Sequence, residues 1–271
     1  MNAASPLPKL QRARGEGRLV ALADGDTTRI GKLYQEGCAK IRLPHTHDNS
    51  LQAVLINTAG GLTGGDAVGW TAAAGPNTRL VLTTQACERV YRSLGDDAQV
   101  RNTLVAGAGA QIDWLPQETI LFEGARLDRT LEVDLAEGAS LCAVEAILLG
   151  REAMGESARS AMLRDNWRIR RNGRLVHAEA TLLSADPLQR DSLSLLDGAL
   201  AFATVLLVGP KAEEKLEPVR ALLQGRAGAS LIGDRLVVRA IAESGLALRR
   251  IIGPIIAELS GAGTLPRLWH L

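Results

Sequence analysis

Aromatic residues are scarce in this chain, at 3% of 271 positions, with Trp 4, Tyr 2 and Phe 2. That scarcity argues against a stacking platform for single-stranded nucleic acid, which needs exposed rings. An excess of one charge is missing too. Lys and Arg total 31 against 30 Asp and Glu, a formal net charge of +1, so the usual electrostatic case for nucleic acid or an anionic membrane is absent. Cys38, Cys87 and Cys142 are an odd set with no C-x-x-C spacing. They suggest neither a disulfide framework nor a tetrahedral zinc site. The longest apolar run, around 199–208, is about half of the ~20 residues a membrane-spanning helix needs. The opening MNAASPLPKLQRARGEGRL lacks the apolar core of a secretory signal. The expectation is a cytoplasmic protein.

What the chain does have is glycine, 28 residues of it, and a hydrophobic fraction of 46%. The length is ample for a real core, and no low-complexity linker divides it, so one domain over 1–271 is expected. Strand patterns dominate. Leu127, Leu131, Val133 and Leu135 alternate with Asp128, Thr130, Glu132 and Asp134, the period of a half-buried strand, with Arg129 the single breach. Segments 79–84, 26–33, 167–176 and 235–241 read the same way with less rigour.

A weak internal echo accompanies them. Gly75, Gly109 and Gly138, spaced by 34 and 29 residues, each open a short turn followed by a strand carrying Leu80, Ile112 or Leu141. Such spacing lies in the range of repeat architectures; ordinary β-turns falling there by coincidence is the competing reading. Helical pattern gathers near the C-terminus. One helix is expected over 212–224, with Pro218 as a kink or a start and Gly225 as a C-cap. A second is expected over 244–258, opened by Ser244 and interrupted at Gly253-Pro254. The fold class is therefore mainly β, stacked β-layers resembling a β-helix, with a small number of helices towards the C-terminus.

Candidate chemistry starts at Asn57-Thr-Ala-Gly60-Gly61-Leu-Thr-Gly64-Gly65-Asp66. A phosphate loop would follow its last glycine with Lys-Ser/Thr, whereas this one places a carboxylate there, which repels phosphate. Gly60, Gly61, Gly64 and Gly65 then mark a backbone needing positive φ or close approach. A structural turn is preferred over a functional loop. His45 and His47 share a face if extended and suit nickel, copper or zinc, but they also fit an exposed loop, and no tight metal site is expected. Glu118 and Glu145 are acids inside apolar strands, costly to bury unless paired, hydrogen-bonded or facing water. Either each faces solvent or both line a polar interior, and Arg151 is a candidate ion partner for Glu145. A carbohydrate-active β-solenoid enzyme would use the two as acid and base, and a metal-storage protein would use the histidines. The nucleophile elbow G-x-S-x-G is absent.

Four blocks occur in order across the central hundred or so residues: Gly60-Gly-Leu-Thr-Gly-Gly-Asp66; Thr83-Thr-Gln-Ala-Cys-Glu-Arg-Val-Tyr91-Arg92-Ser93; Trp114-Leu-Pro-Gln-Glu118 with Phe122-Glu-Gly-Ala125; and Leu149-Gly-Arg151 with Met154-Gly-Glu156. In these the chain resembles the urease accessory protein D family, called UreD in many bacteria and UreH in some. The outer thirds match only in general character. The resemblance implies a non-enzymatic scaffold in nickel insertion. Such a scaffold joins accessory protein F and the GTPase accessory protein G, docks on the urease apoprotein and offers an internal water-filled passage. It also implies a mostly β fold of stacked strand layers.

On that resemblance Asp66, Glu118 and Glu145 are expected to face a polar passage, with Thr84 and Gln85 adding neutral oxygens. Weak oxygen ligands suit a transient nickel ion, which thiolates or several imidazoles would trap. Tyr91, Arg92 and Arg151, with the four glycines, are expected to be structural or partner-facing. No tightly bound cofactor is expected.

Overall fold

The computed structural model describes residues 11–46, 48–261 and 265–270. The first strands are β1 (Arg14–Asp24), β2 (Thr27–Gly37), β3 (Ala39–Arg42), β4 (Leu51–Asn57), β5 (Ala67–Ala74), β6 (Arg79–Thr84) and β7 (Glu88–Val90). The middle contributes β8 (Ala98–Ala106), β9 (Gln111–Leu115), β10 (Thr119–Leu121), β11 (Arg126–Leu135), β12 (Ser140–Leu149), β13 (Met162–Arg171) and β14 (Arg174–Leu183). The remainder is α1 (Pro187–Asp191), β15 (Ala201–Val208), α2 (Leu216–Leu222), β16 (Arg226–Ile232), β17 (Arg235–Ala242) and α3 (Gly245–Leu259).

These strands form two sheets. The first runs β14-β13-β11-β8-β5-β1-β2, and the second β16-β17-β15-β12-β9-β6-β4-β3, with β10 alongside β12 and β7 alongside β10. Apart from the short β7 and β10, the chain from β5 to β12 alternates between sheets, with β8 on β5, β11 on β8, β9 on β6 and β12 on β9, all in parallel. The result is a set of stacked coils resembling a β-solenoid, as the echo of glycine turns suggested.

The register refines that echo. Leu80, Ile112 and Leu141 are stacked partners. Gly109 and Gly138 turn the corner before them at φ +65° and +68°, but the equivalent position is Asn77, at φ 57°, and not Gly75. Asparagine is one of the few residues that tolerates this left-handed backbone. The corners stack by main-chain bonds, Asn77 N donating to Ala108 O (2.9 Å) and Gly109 N to Glu137 O (3.0 Å).

Between the sheets lies the main core. Leu19, Leu104, Leu131 and Trp167 of the first sheet meet Leu82, Ile112, Leu141 and Ile147 of the second. Many positions are alanine, which lets layers approach without rings. The second sheet buries its other face under α3, through Leu248, Ile252, Ile255 and Ile256. The first sheet leaves its other face in water. There the register sets Asp128 beside Arg164, Glu132 beside Arg168 and Asp134 beside Arg170, opposite charges on neighbouring strands. That explains how a largely parallel sheet remains open on one side, where such sheets are usually covered on both.

Several expectations need correcting. Segment 167–176 is not one strand but the end of β13 and the start of β14, turned at Asn172 (φ 48°) and Gly173 (φ 76°); Asn-Gly favours this two-residue hairpin. The strand expected over 26–33 continues to Gly37. The helix expected over 212–224 shrinks to α2, with Pro218 in its first turn. Helix α3 is not interrupted at Gly253-Pro254. Proline inside a helix costs ~3 kcal/mol, but burying several Ile and Leu side chains at roughly 1.5–3 kcal/mol each outweighs it. Ser244 does cap this helix, accepting from Ala247 N at 3.2 Å. No described helix is long and apolar enough to cross a membrane.

Candidate functional site

The glycine block and the later motif blocks meet at one set of loops. Gly61, at φ +141°, runs under Tyr91, where an added Cβ would lie 2.4 Å from the ring and 2.8 Å from Arg89 O. Tyr91 Oη donates to Gly60 O (3.1 Å), and its ring meets Phe122 edge-on with centroids 5.1 Å apart. The Arg151 guanidinium covers the other ring, 4.7 Å from the Phe122 centroid. Arg92 O accepts from Thr63 Oγ1 (2.9 Å), and the Arg92 side chain crosses Gly124. Blocks far apart in sequence thus form one column, Gly60–Tyr91–Phe122–Arg151.

Arg151 does not pair with Glu145. Its guanidinium bonds Glu156, five positions on, while Glu145 points into the core. Asp66 is buried and uses one oxygen on Ala13 N and the other on Thr63 N, both 2.8 Å. It ties the glycine turn to the start of β1. Gly64 packs against Ser93 and Asp96 O.

Beside the glycine loop opens a cavity of about 230 Å³, walled by Gly60, Gly61, Thr84, Gln85, Cys87 and Glu88 among others. A second, of about 50 Å³, lies between the sheets and is walled by Asn102, Trp114, Gln117, Thr119, Arg129 and Glu145 among others. Trp70, Thr84 and Glu88 belong to both. These shared side chains stand between the space beside the glycine loop and the space in the core. Asn102 Oδ1 and Gln117 Nε2 are buried there without a hydrogen-bond partner among the described residues.

At the inner end stands Arg129, the breach in the alternating strand. Alternation points it inward, and three carboxylate contacts and a hydroxyl receive it. Nη1 lies 2.5 Å from Glu145 Oε2 and donates to Thr119 Oγ1 (3.1 Å). Nη2 and Nε grip the two oxygens of Asp165 at 2.7 and 3.1 Å. Trp114 Nε1 donates to Glu145 (3.0 Å) and Trp167 Nε1 to Asp165 (3.3 Å). Burial raises the Glu145 carboxyl, opposed by Arg129 and reinforced by Asp165. Burial opposes the guanidinium charge as well, but Asp165 and Glu145 more than offset it.

Glu118 belongs to a different grip. Arg249 of α3 reaches its two oxygens at 2.8 and 2.6 Å and Gln117 Oε1 at 2.5 Å. Burial would raise this carboxyl, but bonds from Arg249 and the backbone prevail and hold it below its ordinary value. Cys87 Sγ donates to Glu118 at 3.4 Å, and burial together with Glu118 pushes that thiol up to about 11.

Sequence reading missed Glu88, at the junction of the cavities. Asn57 Nδ2 lies 3.2 Å from each of its oxygens, yet burial pushes the carboxyl up to about 7. The signal was an acid in the Thr83–Ser93 block, masked by the more conspicuous neighbours Thr84, Gln85 and Tyr91.

Of the expected passage residues, Thr84 and Gln85 wall the outer cavity and Glu145 the inner one, while Glu118 and Asp66 lie outside both linings. The inner space is far below the ~300–1,000 Å³ of a small-molecule site, which leaves no room for a sugar against Glu145. His45 is exposed between β3 and β4, and His47 lies outside the described residues. Among the described residues no three His, Cys, Asp or Glu side chains cluster as metal ligands.

Comparison with known proteins gives one answer. The model of the family described as UreD urease accessory protein matches residues 13–270. The chain is 60% identical over 270 residues to a urease accessory protein UreD of Chelativorans sp. (strain BNC1), covering 99% of this chain and 97% of that one. It is 52% identical over 273 residues to the UreD of Rhizobium rhizogenes (strain K84 / ATCC BAA-868), covering all of both chains. Rhizobium etli (strain ATCC 51251 / DSM 11541 / JCM 21823 / NBRC 15573 / CFN 42) has a UreD 53% identical over 264 residues, 96% of each. With the matched blocks assembled in one column and relatives aligned end to end, the chain belongs to the UreD urease accessory protein family.

Proposed function

We propose that this chain is a non-catalytic cytoplasmic scaffold for urease maturation. It bridges the complex of accessory protein F and the GTPase accessory protein G to the urease apoprotein, and it gives nickel a polar route between its sheets. The observation that carries the route is the pair of cavities sharing Trp70, Thr84 and Glu88, one open beside the glycine loop and one reaching Glu145. An inner space of about 50 Å³ holds one or two waters at ~30 Å³ each, so an ion travels there stripped of most of its hydration.

The oxygens on offer are those of Thr84, Gln85, Glu88, Asn102 and Glu145. A hard-oxygen set of this kind holds nickel weakly, which fits cargo better than storage. Arg129 already occupies Glu145 and further lowers its affinity for a cation. In this reading Asp66, Tyr91, Arg92 and Arg151 shape the entrance, and Glu118 fixes α3 beside the route.

The test is co-expression of urease with F, G and either this chain or its Glu88→Gln/Glu145→Gln variant. Urease nickel content should fall severalfold while the assembled complex is still recovered. Full nickel loading would overturn the route. Failure of the parent chain to associate with F, G and apo-urease would overturn the scaffold.

A further inference from the structure

The two sheets end on β14 and β16, and between these strands lies a cleft of about 490 Å³. Its lining contains Arg235, Arg239 and His177 and no carboxylate. The chain as a whole is close to neutral, so this positive lining is local.

Each polar group in the cleft is incompletely matched. Arg235 spends its hydrogen bonds on main-chain carbonyls, those of Ile232 (2.9 Å) and Val176. No carboxylate neutralises it among the described residues. Arg239 bonds Glu179 Oε1 (2.9 Å), yet its side chain remains 62% exposed. His177 is buried, and its Nε2 has no hydrogen-bond partner among the described residues; Glu179 Oε2 stands 3.7 Å away, too far for one. Behind them Glu179 Oε1 accepts from Arg239 and from Thr204 Oγ1 (3.0 Å), while its Oε2 is buried beside His177 without a hydrogen-bond partner among the described residues, so Arg235 is the cation of the cleft that no carboxylate faces. The flanking Arg171 and Arg226 pair with Asp234 and Asp197 and add no free acid.

The shape suits a chain better than a compact ion. Gly228 and Ser230 lie two residues apart on β16 and so share the face that lines the cleft. A Cβ at Gly228 would meet nothing within 4 Å, so the strand offers a bare shelf there. Among the described residues strand β14 pairs only with β13, and away from Val176, whose carbonyl Arg235 takes, its other edge is open to a further extended segment.

We infer that this cleft receives an acidic segment of a partner protein, running between the β14 edge and the β16 shelf with its carboxylates on Arg235 and Arg239. This does not depend on the nickel route. A guanidinium matches a carboxylate in geometry as well as charge, and placing one against Arg235 supplies the counter-charge that the fold omits.

The probe is a fluorescein-labelled hexaglutamate peptide titrated with the full-length protein at low salt and read by anisotropy. Saturable binding that weakens with added salt is expected. Gly228→Glu sets a resident carboxylate opposite Arg239 in the β16–β17 register and should weaken binding about tenfold, the scale of one lost charge-assisted bond. Arg239→Gln, on an exposed side chain, provides a second variant with the same expected loss. Circular dichroism checks that both remain folded. Equal affinity of parent and variants would overturn the inference. So would displacement of the peptide by equimolar inorganic phosphate, or stronger binding of a single-stranded oligonucleotide.

Discussion

Arg129 Nη1 lies 2.5 Å from Glu145 Oε2, joining β11 of one sheet to β12 of the other by an ion pair at the centre of the core. Its second partner, Asp165, is the residue directly beside it on β13. Removing the arginine alone leaves two buried carboxylates facing each other, a situation that costs ~3–5 kcal/mol. Arg129→Met should therefore lower the urea midpoint sharply. The neutralised triple variant, with Glu145→Gln and Asp165→Asn added, should recover most of that loss. An unchanged midpoint for Arg129→Met would show that the pair does not support the fold.

Glu88 makes stability depend on pH. Its carboxyl rises from the ordinary 4.5 to about 7 on folding, so the folded state binds more protons than the unfolded state between those values. Stability then falls as pH rises through that window. Glu88→Gln should reduce the slope, leaving the part due to the raised carboxyls of Glu145 and Asp113, and make the protein more stable than the parent at pH 8 by at most about 3 kcal/mol. Denaturation series at pH 5, 6.5 and 8 would measure it, and parallel curves for parent and variant would contradict it.

Cys87 walls an open cavity yet should react slowly, because its thiol is pushed up to about 11 by burial and by Glu118. The thiolate is the reactive form. Glu118→Gln removes the negative neighbour, lowers the thiol and should speed iodoacetamide alkylation of Cys87 severalfold at pH 8. Peptide mapping separates it from Cys38 and Cys142. A slower or unchanged rate would remove Glu118 as the cause.

Two adjacent glycines should behave differently. At Gly60 (φ +77°) an added Cβ meets nothing within 4 Å, whereas at Gly61 it would collide with Tyr91 and with Arg89 O. Gly60→Ala should cost only the left-handed strain of roughly 1–2 kcal/mol. Gly61→Ala should lower the melting temperature clearly more, since the Tyr91 ring must leave Phe122. Equal shifts would mean the column is looser than the contacts imply.

Much of this fold is legible in local pattern. Alternation from Leu127 to Leu135 places the strand, and Ser244 places the start of α3. Arg129 broke the alternation and was therefore visible, but its partners come from strands that only coil stacking brings near, so the sequence could not name Asp165. The same limit explains Arg151, paired on paper with Glu145 and in space with Glu156. Asn172-Gly173 was readable as a hairpin, yet the apolar residues on both sides merged into one apparent strand. At Gly253-Pro254 a local rule lost to tertiary burial, which no short window contains. Glu88 escaped notice because its importance is positional: two cavities share it.

The corners at Asn77, Gly109 and Gly138 rest on one another through main-chain bonds, with almost no side chain between them. The opposite loops carry the glycine turn, Tyr91, Phe122 and the 150–161 segment. Main-chain bonds also join the opposite loops, Leu62 N donating to Arg89 O and Phe122 N to Val90 O, but the corners 75–78, 107–110 and 136–139 share one length whereas the loops 85–97, 116–125 and 150–161 do not. An extra residue beside Ala108 or Glu137 would throw every later coil out of step, whereas one added near Ser157 would only lengthen a loop. The molecule can vary its length on the side where it gathers its motifs, and hardly at all on the side that sets its pitch.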